Sequence, residues 1–300
     1  MTVFAVLAHG DSTTFEVTAD ALRSYEIVVH VDASTDIRPY PRAENISYVE
    51  DRVNVRWGGF SVVSATDRLY ALALEKCVSP EEYVVLLSGQ CVPVRPLADL
   101  ERLFSENPGR LYCRGGLLLD GLRQNERRVR KRWYFDKFDA RQRGVMGRVF
   151  AGLRRVGQWT SGTRSARAFD GLAIVAGSQW TALTAGALQS LLSNTDLRVR
   201  LDALLRHSLA PDEIYFHSLV YSSEWAQRTL EWPPLPKSDK RTTDFANLHF
   251  VDRSLTRVIS PLELAQLSVG DAFFARKVVS NDRRSLEATV RKLIAPREED

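Results

Sequence analysis

Short apolar runs alternate with helix-spaced apolar positions over the first hundred residues. Val3 to Ala8 is apolar and too short for a core helix, so it predicts a buried strand. Thr13-Thr14-Phe15-Glu16 has the form of a capping box and predicts a helix running to about Ser24. Glu26 to Val31 predicts a second strand that ends at Asp32, and Ile46 to Val49 a third. A helix follows Trp57-Gly58-Gly59-Phe60-Ser61, with Leu69, Ala73 and Leu74 among its apolar positions and Ser61 as its cap. Tyr83 to Leu87 is again a short buried strand. Such alternation predicts an α/β fold, a mostly parallel sheet flanked by helices with right-handed crossovers.

The pattern loosens after residue 110. Leu111 to Cys113 and Leu172 to Ala176 predict strands. Val145, Val149, Leu153 and Val156 recur at helical spacing between Gly144 and Val156, with arginines interleaved. Thr184 to Leu192 and Leu197 to Ser208 predict helices, and Pro211 predicts a helix opening at Asp212 and Glu213. Glu231-Trp232-Pro233-Pro234-Leu235-Pro236 predicts an extended connector, because prolines and the residues before them avoid helix. Pro261 to Leu267 and Leu286 to Ile294 complete the helices.

Charge sharpens this picture. Residues 123 to 167 hold fourteen Lys/Arg and three Asp/Glu, a local +11. With +4 overall, the rest of the chain carries −7. Such a block calls for an anionic partner or strong solvation. Nucleic acid is not expected, because neither aromatic interleaving nor a recognition motif accompanies the charge. No stretch approaches the ~20 apolar residues of a membrane span, and Met1 leads straight into strand-like sequence with no signal-peptide pattern. Cys77, Cys91 and Cys113 follow neither a metal spacing nor a disulfide pattern, as expected of reduced thiols in a cytoplasm.

Two glycine-containing motifs stand out. Gly58-Gly59 is costly in backbone entropy, which predicts a close approach. Ser88-Gly89 follows a strand, where a glycine would let backbone approach a ligand. Both runs resemble signatures of the core-2/I-branching glycosyltransferases, the family that also contains the peptide O-xylosyltransferases. The resemblance continues in order through Val6-Leu7-Ala8-His9, His30-Val31-Asp32, Gly177-Ser178-Gln179-Trp180, Pro211-Asp212-Glu213 and Phe274-Ala275-Arg276-Lys277. It implies one GT-A-like domain over 1–300, with a nucleotide-binding half at 1–115 and an acceptor and catalytic half at 116–300. It implies an inverting transferase without a metal or other cofactor. The donor would be a UDP-sugar carrying N-acetylglucosamine or xylose, and the acceptor a glycan or lipid-linked saccharide. Animal members carry a membrane anchor; this chain resembles a bacterial, cytoplasmic one.

The resemblance implies roles residue by residue. Glu213 would be the general base that takes the acceptor proton. Bottom-up, a glutamate in a first helical turn is also favoured simply as an anion by the helix dipole. Lys277 and Arg276, with Arg257 as the upstream arginine and Arg253 in reserve, would neutralise the leaving diphosphate. The absence of any Asp-X-Asp triplet agrees with cationic side chains in that role. Asp32 would contact the uridine, with Ala8, His9, Ser88 and Gly89 beside it. His9 reads equally well as a turn histidine. Gln179, Trp180 and Arg128 would face the acceptor, although a tryptophan also suits a core. Cys91 departs from the family's usual aspartate, which favours a rival reading: a catalytically silent nucleotide-sugar or glycan-binding protein. Cys91 has no histidine partner in sight and is not expected to be a nucleophile. The 141–155 helix is either a face for anionic membrane, peripheral at the inner surface, or a helix whose apolar side packs on the core.

Overall fold

The structure, a computed structural model, describes residues 2–10, 12–139, 141–267 and 269–296. In chain order the strands are β1 (Thr2–Ala8), β2 (Glu26–Val31), β3 (Ile46–Tyr48), β4 (Tyr83–Ser88), β5 (Val92–Pro93), β6 (Gly116–Leu117), β7 (Val175–Ala176), β8 (Ala182–Thr184), β9 (His249–Val251) and β10 (Phe274–Arg276). The helices are α1 (Thr13–Ala21), α2 (Ser61–Lys76), α3 (Leu97–Glu106), α4 (Arg123–Arg130), α5 (Gly144–Thr160), α6 (Ala185–Ser193), α7 (Thr195–Leu205), α8 (Tyr215–Tyr221), α9 (Pro261–Gln266) and α10 (Arg283–Ile294). The central sheet has the order β3-β2-β1-β4-β8. Its first four members are parallel and β8 runs antiparallel against β4. The result is a GT-A-like α/β architecture.

The unbroken apolar runs are explained by burial on both faces. Val3, Ala5, Val28, Val84 and Leu86 point to one side, against Leu69 and Tyr70 of α2 and the helices of the second half. Phe4, Val6, Val29, Val85 and Leu87 point to the other, against Phe15, Leu22, Leu100 and Phe104. Alternate residues thus feed two separate cores, as a period of two requires. Each such buried side chain contributes about 1.5–3 kcal/mol relative to exposure.

Several expectations need correction. The capping-box register is off by one: α1 begins at Thr13, and it is the Ser12 hydroxyl that donates to Glu16 at 2.7 Å. Leu111 to Cys113 is not a strand but two isolated bridges, Leu111 to Thr229 and Tyr112 to Ala182. The Leu172 to Ala176 run pairs only at its last two residues. The Ala173 amide donates instead to the hydroxyl of Ser222, the residue that follows α8, while Val175, which pairs with Leu117, donates its amide to the Ser218 hydroxyl of α8. Pro211–Glu213 is a 3-10 turn that follows Ala210 at φ +49, and the α-helix starts only at Tyr215.

The double glycine makes its close approach to a carboxylate of the same chain. A Cβ on Gly59 would lie 2.2 Å from Asp136 Oδ1, and one on Gly58 3.2 Å from the Phe135 ring. Asp136 Oδ2 accepts from the Phe60 amide at 2.7 Å, and Oδ1 accepts from the Ser61 hydroxyl at 2.6 Å. Ser61 is therefore not the cap of α2. Asp136, seventy-five residues away, caps it. Gly59→Ala and Asp136→Ala should each cost about 1–2 kcal/mol, the usual worth of a lost cap. The double variant should cost little more than the worse single one. Denaturant unfolding measures this, and additive losses would show that the two residues act apart.

Candidate active site

A cavity of about 970 Å³ opens at the carboxyl ends of β1 and β4. These strands lie side by side while β2 flanks β1 on the other side, so this is the switch point where α/β sheets bind ligands. Ala8, His9, Asp32 and Ser88 line the cavity from the sheet edge. Gln179, Trp180 and Glu213 line it from the second half, and Arg276 and Lys277 from the end of β10. Residues spread over 270 positions of sequence are thus brought to one place.

The 3-10 turn at Pro211–Glu213 aims Glu213 into the cavity. Its Oε2 accepts from Arg128 Nη2 at 2.7 Å and from the Thr242 hydroxyl at 3.0 Å. Its own carbonyl accepts from the Gly177 amide at 3.0 Å, which ties the turn to the Gly177-Ser178-Gln179-Trp180 segment. Gly177 has no room for a side chain, because a Cβ would lie 2.0 Å from the Arg114 carbonyl oxygen. Asp212, next to Glu213, also lines the cavity, and its Oδ1 is buried without a hydrogen-bond partner among the described residues. Burial, then the neighbouring Glu213 charge, pushes the Asp212 carboxyl well above the usual carboxylate range. Asp212 therefore holds a proton more readily than an ordinary carboxyl.

The β10 side of the cavity is built by strand pairing. β10 pairs antiparallel with β5, Phe274 opposite Pro93 and Ala275 opposite Val92. That register sets Arg276 against the Ser88 turn, where Arg276 Nε donates to Ser88 Oγ at 3.2 Å. The guanidinium lies 4.8 Å over the Trp180 ring, a cation–π contact. Trp180 is only 6% exposed, so it serves as the bed for Arg276 more than as an open platform for sugar. His9 is exposed at the cleft mouth. Desolvation, then the charges of Arg141, Lys277 and Arg276, hold it below its ordinary value against the opposing charge of Asp32. Asp32 Oδ1 accepts from the Ser34 amide at 2.7 Å and Oδ2 from the Val55 amide at 2.9 Å, which fixes the carboxylate at the end of β2.

Four sequence candidates, Gly89, Arg257, Arg253 and Arg128, do not line the cavity. Gly89 approaches Ala8 rather than a ligand: a Cβ there would lie 3.1 Å from Ala8 Cβ, and its amide donates to the Leu7 carbonyl at 2.8 Å. Arg257 is on the surface, paired with Glu263 at 2.9 Å and Asp252 at 3.8 Å, and Arg253 is paired with Asp244 at 3.2 Å. Arg128 is the ion-pair partner of Glu213 at 2.7 Å, with a side chain 12% exposed. Cys91 is fully buried, and its Sγ accepts from the Ser88 amide at 3.3 Å. Burial pushes its thiol up, which suits a turn-stabilising role and not a nucleophile.

The sequence reading missed Arg141, Asp212 and Thr242 at the cavity wall. Asp212 sits inside a motif already singled out. Thr242 carries no sequence signal, and Arg141 was hidden in a block of like charges. With Arg141, four cationic side chains line the cavity, Arg56, Arg141, Arg276 and Lys277, of which Arg56 is paired with Asp139 at 3.0 Å, and the carboxyls of Asp32, Asp212 and Glu213 line it as well. Among the described residues no group of three or more His, Cys, Asp or Glu is placed to hold a metal ion.

No curated protein matches the chain significantly. The family model described as Core-2/I-Branching enzyme matches residues 2–243, a span that includes both glycine motifs and Pro211-Asp212-Glu213 and stops before β9 and β10. The chain therefore belongs to the Core-2/I-Branching enzyme family, a family of glycosyltransferases.

Proposed function

We propose that the protein is an inverting glycosyltransferase that needs no metal and moves N-acetylglucosamine or xylose from a UDP-sugar to a saccharide, free or lipid-linked. One observation carries the reading: Glu213, clamped by Arg128 and Thr242, shares a cavity with Arg141, Arg276 and Lys277. The uridine would sit by Asp32 at the end of β2, with the diphosphate toward Arg276 and Lys277. An acceptor hydroxyl would give its proton to Glu213 while its oxygen attacks the anomeric carbon from the face opposite the diphosphate. The bond from that carbon to the diphosphate oxygen breaks, and its electron pair leaves with the diphosphate. Preorganised cations at the developing charge are the largest catalytic contribution of this kind of site. Arg128 and Thr242 hold the base in place, and Asp212, favouring its proton, keeps a second anion away from the leaving group.

The silent-binder reading rested on Cys91, and the buried turn role of that thiol leaves the cavity wall to other residues. Transfer to a sugar acceptor should persist in excess chelator. Activity lost in chelator and restored by manganese or magnesium would refute the metal-free mechanism; no transfer to any saccharide would favour the silent binder.

A further inference from the structure

The exposed helix α5 turns its apolar side away from the protein. Val145, Met146, Val149, Leu153 and Val156 are between 42% and 67% exposed, and Trp159 is 85% exposed. At 100° per residue these side chains form one stripe. The opposite side of the helix is the one that packs. Arg154 lies 5.6 Å over the Phe135 ring and donates to the Phe138 carbonyl at 2.8 Å, while Phe150 meets the Phe138 ring at 5.9 Å. The core-packing alternative for this helix is therefore not what the structure shows.

Charge says what the stripe fits. From residue 141 to 169 there are seven arginines and no Asp or Glu. Arg148 and Arg155 lie along one edge of the stripe and are exposed. An apolar stripe bordered by cations, with a tryptophan toward one end, matches a helix lying in the headgroup boundary of an anionic bilayer. The helix also starts three residues after Arg141, which lines the cavity. A surface that received α5 would lie beside the cleft mouth.

We propose that α5 docks on anionic lipid and so presents the cleft to saccharides carried at a membrane surface. The second half of this statement rests on the transferase reading; the docking does not. The test is co-sedimentation of the full chain with vesicles of phosphatidylglycerol and phosphatidylcholine, against phosphatidylcholine alone, at low and high salt. The parent should bind the anionic vesicles at low salt, and high salt should weaken binding. Arg148→Gln with Arg155→Gln should weaken it about 30-fold, the equivalent of about 1 kcal/mol per basic residue. Val149→Asp with Leu153→Asp should abolish it while leaving transfer to a small soluble acceptor intact, which also verifies folding. Equal binding to both vesicle types, or none to anionic vesicles at low salt, overturns the proposal. So does self-association in the absence of lipid that the aspartate pair abolishes, since the stripe would then cover a second copy. Vesicle binding is independent of turnover, so an inactive Glu213→Gln protein should still sediment with lipid.

Discussion

Glu213→Gln should lower transfer by about 10²–10⁴-fold, the usual worth of a positioned general base. The glutamine oxygen can still accept from Arg128, so the turn should keep its shape. The change removes proton acceptance and leaves Asp32, Arg276 and Lys277, the residues proposed to hold the donor, untouched. The loss should therefore fall on kcat, with UDP affinity and thermal stability close to the parent's. A KM effect without a kcat effect would make Glu213 a binding residue. Near-full activity would assign the proton to another group, with Asp212 the nearest carboxylate.

Lys277→Ala should weaken UDP binding by roughly 10- to 100-fold, as expected for a hydrogen bond to a charged partner worth about 1.5–3 kcal/mol. Free uridine, which lacks the diphosphate, should bind the variant nearly as well as the parent. Calorimetry with both ligands separates the two. If both weaken equally, Lys277 supports the fold of the pocket instead of the phosphates. Arg276 is a poorer choice for this test because its guanidinium is packed on Trp180 and bonded to Ser88. Removing it would disturb the wall as well as the charge.

The strands of the parallel sheet were legible in the sequence because both faces are buried, so their apolar runs are short and continuous. β1, β2 and β4 came within a residue of their expected bounds. The runs at Leu111 and Leu172 misled because apolar character reports burial and not pairing: Leu111 is fully buried, yet it makes only an isolated bridge to Thr229. Glu213 and Lys277 were legible through motifs and do reach one cavity. Arg257 does not line this cavity, and an arginine's sequence position does not reveal the surface carboxylates, here Glu263 and Asp252, that pair with it. The role of Asp136 was out of reach for a local reason: a cap supplied from seventy-five residues away leaves no pattern near the helix it caps. The glycines announced that something approaches, but not what.

The pairing of β10 with β5 has a consequence for how the chain is made. The strand β4 is fully buried in the finished molecule and apolar along its length. On a ribosome it emerges roughly 90 residues before β8, the strand that finally covers its edge, an interval of about 5–20 s at ordinary elongation rates. During that interval its unpaired edge is a template for pairing with another chain. β10 arrives later still, so Arg276 and Lys277 join the cleft only when nearly the whole polypeptide exists. A fragment cut at residue 243 would keep the central sheet and Glu213, yet it would lack both cations that β10 brings to the cavity. Fragments of this protein are thus expected to lose donor binding before they lose the sheet.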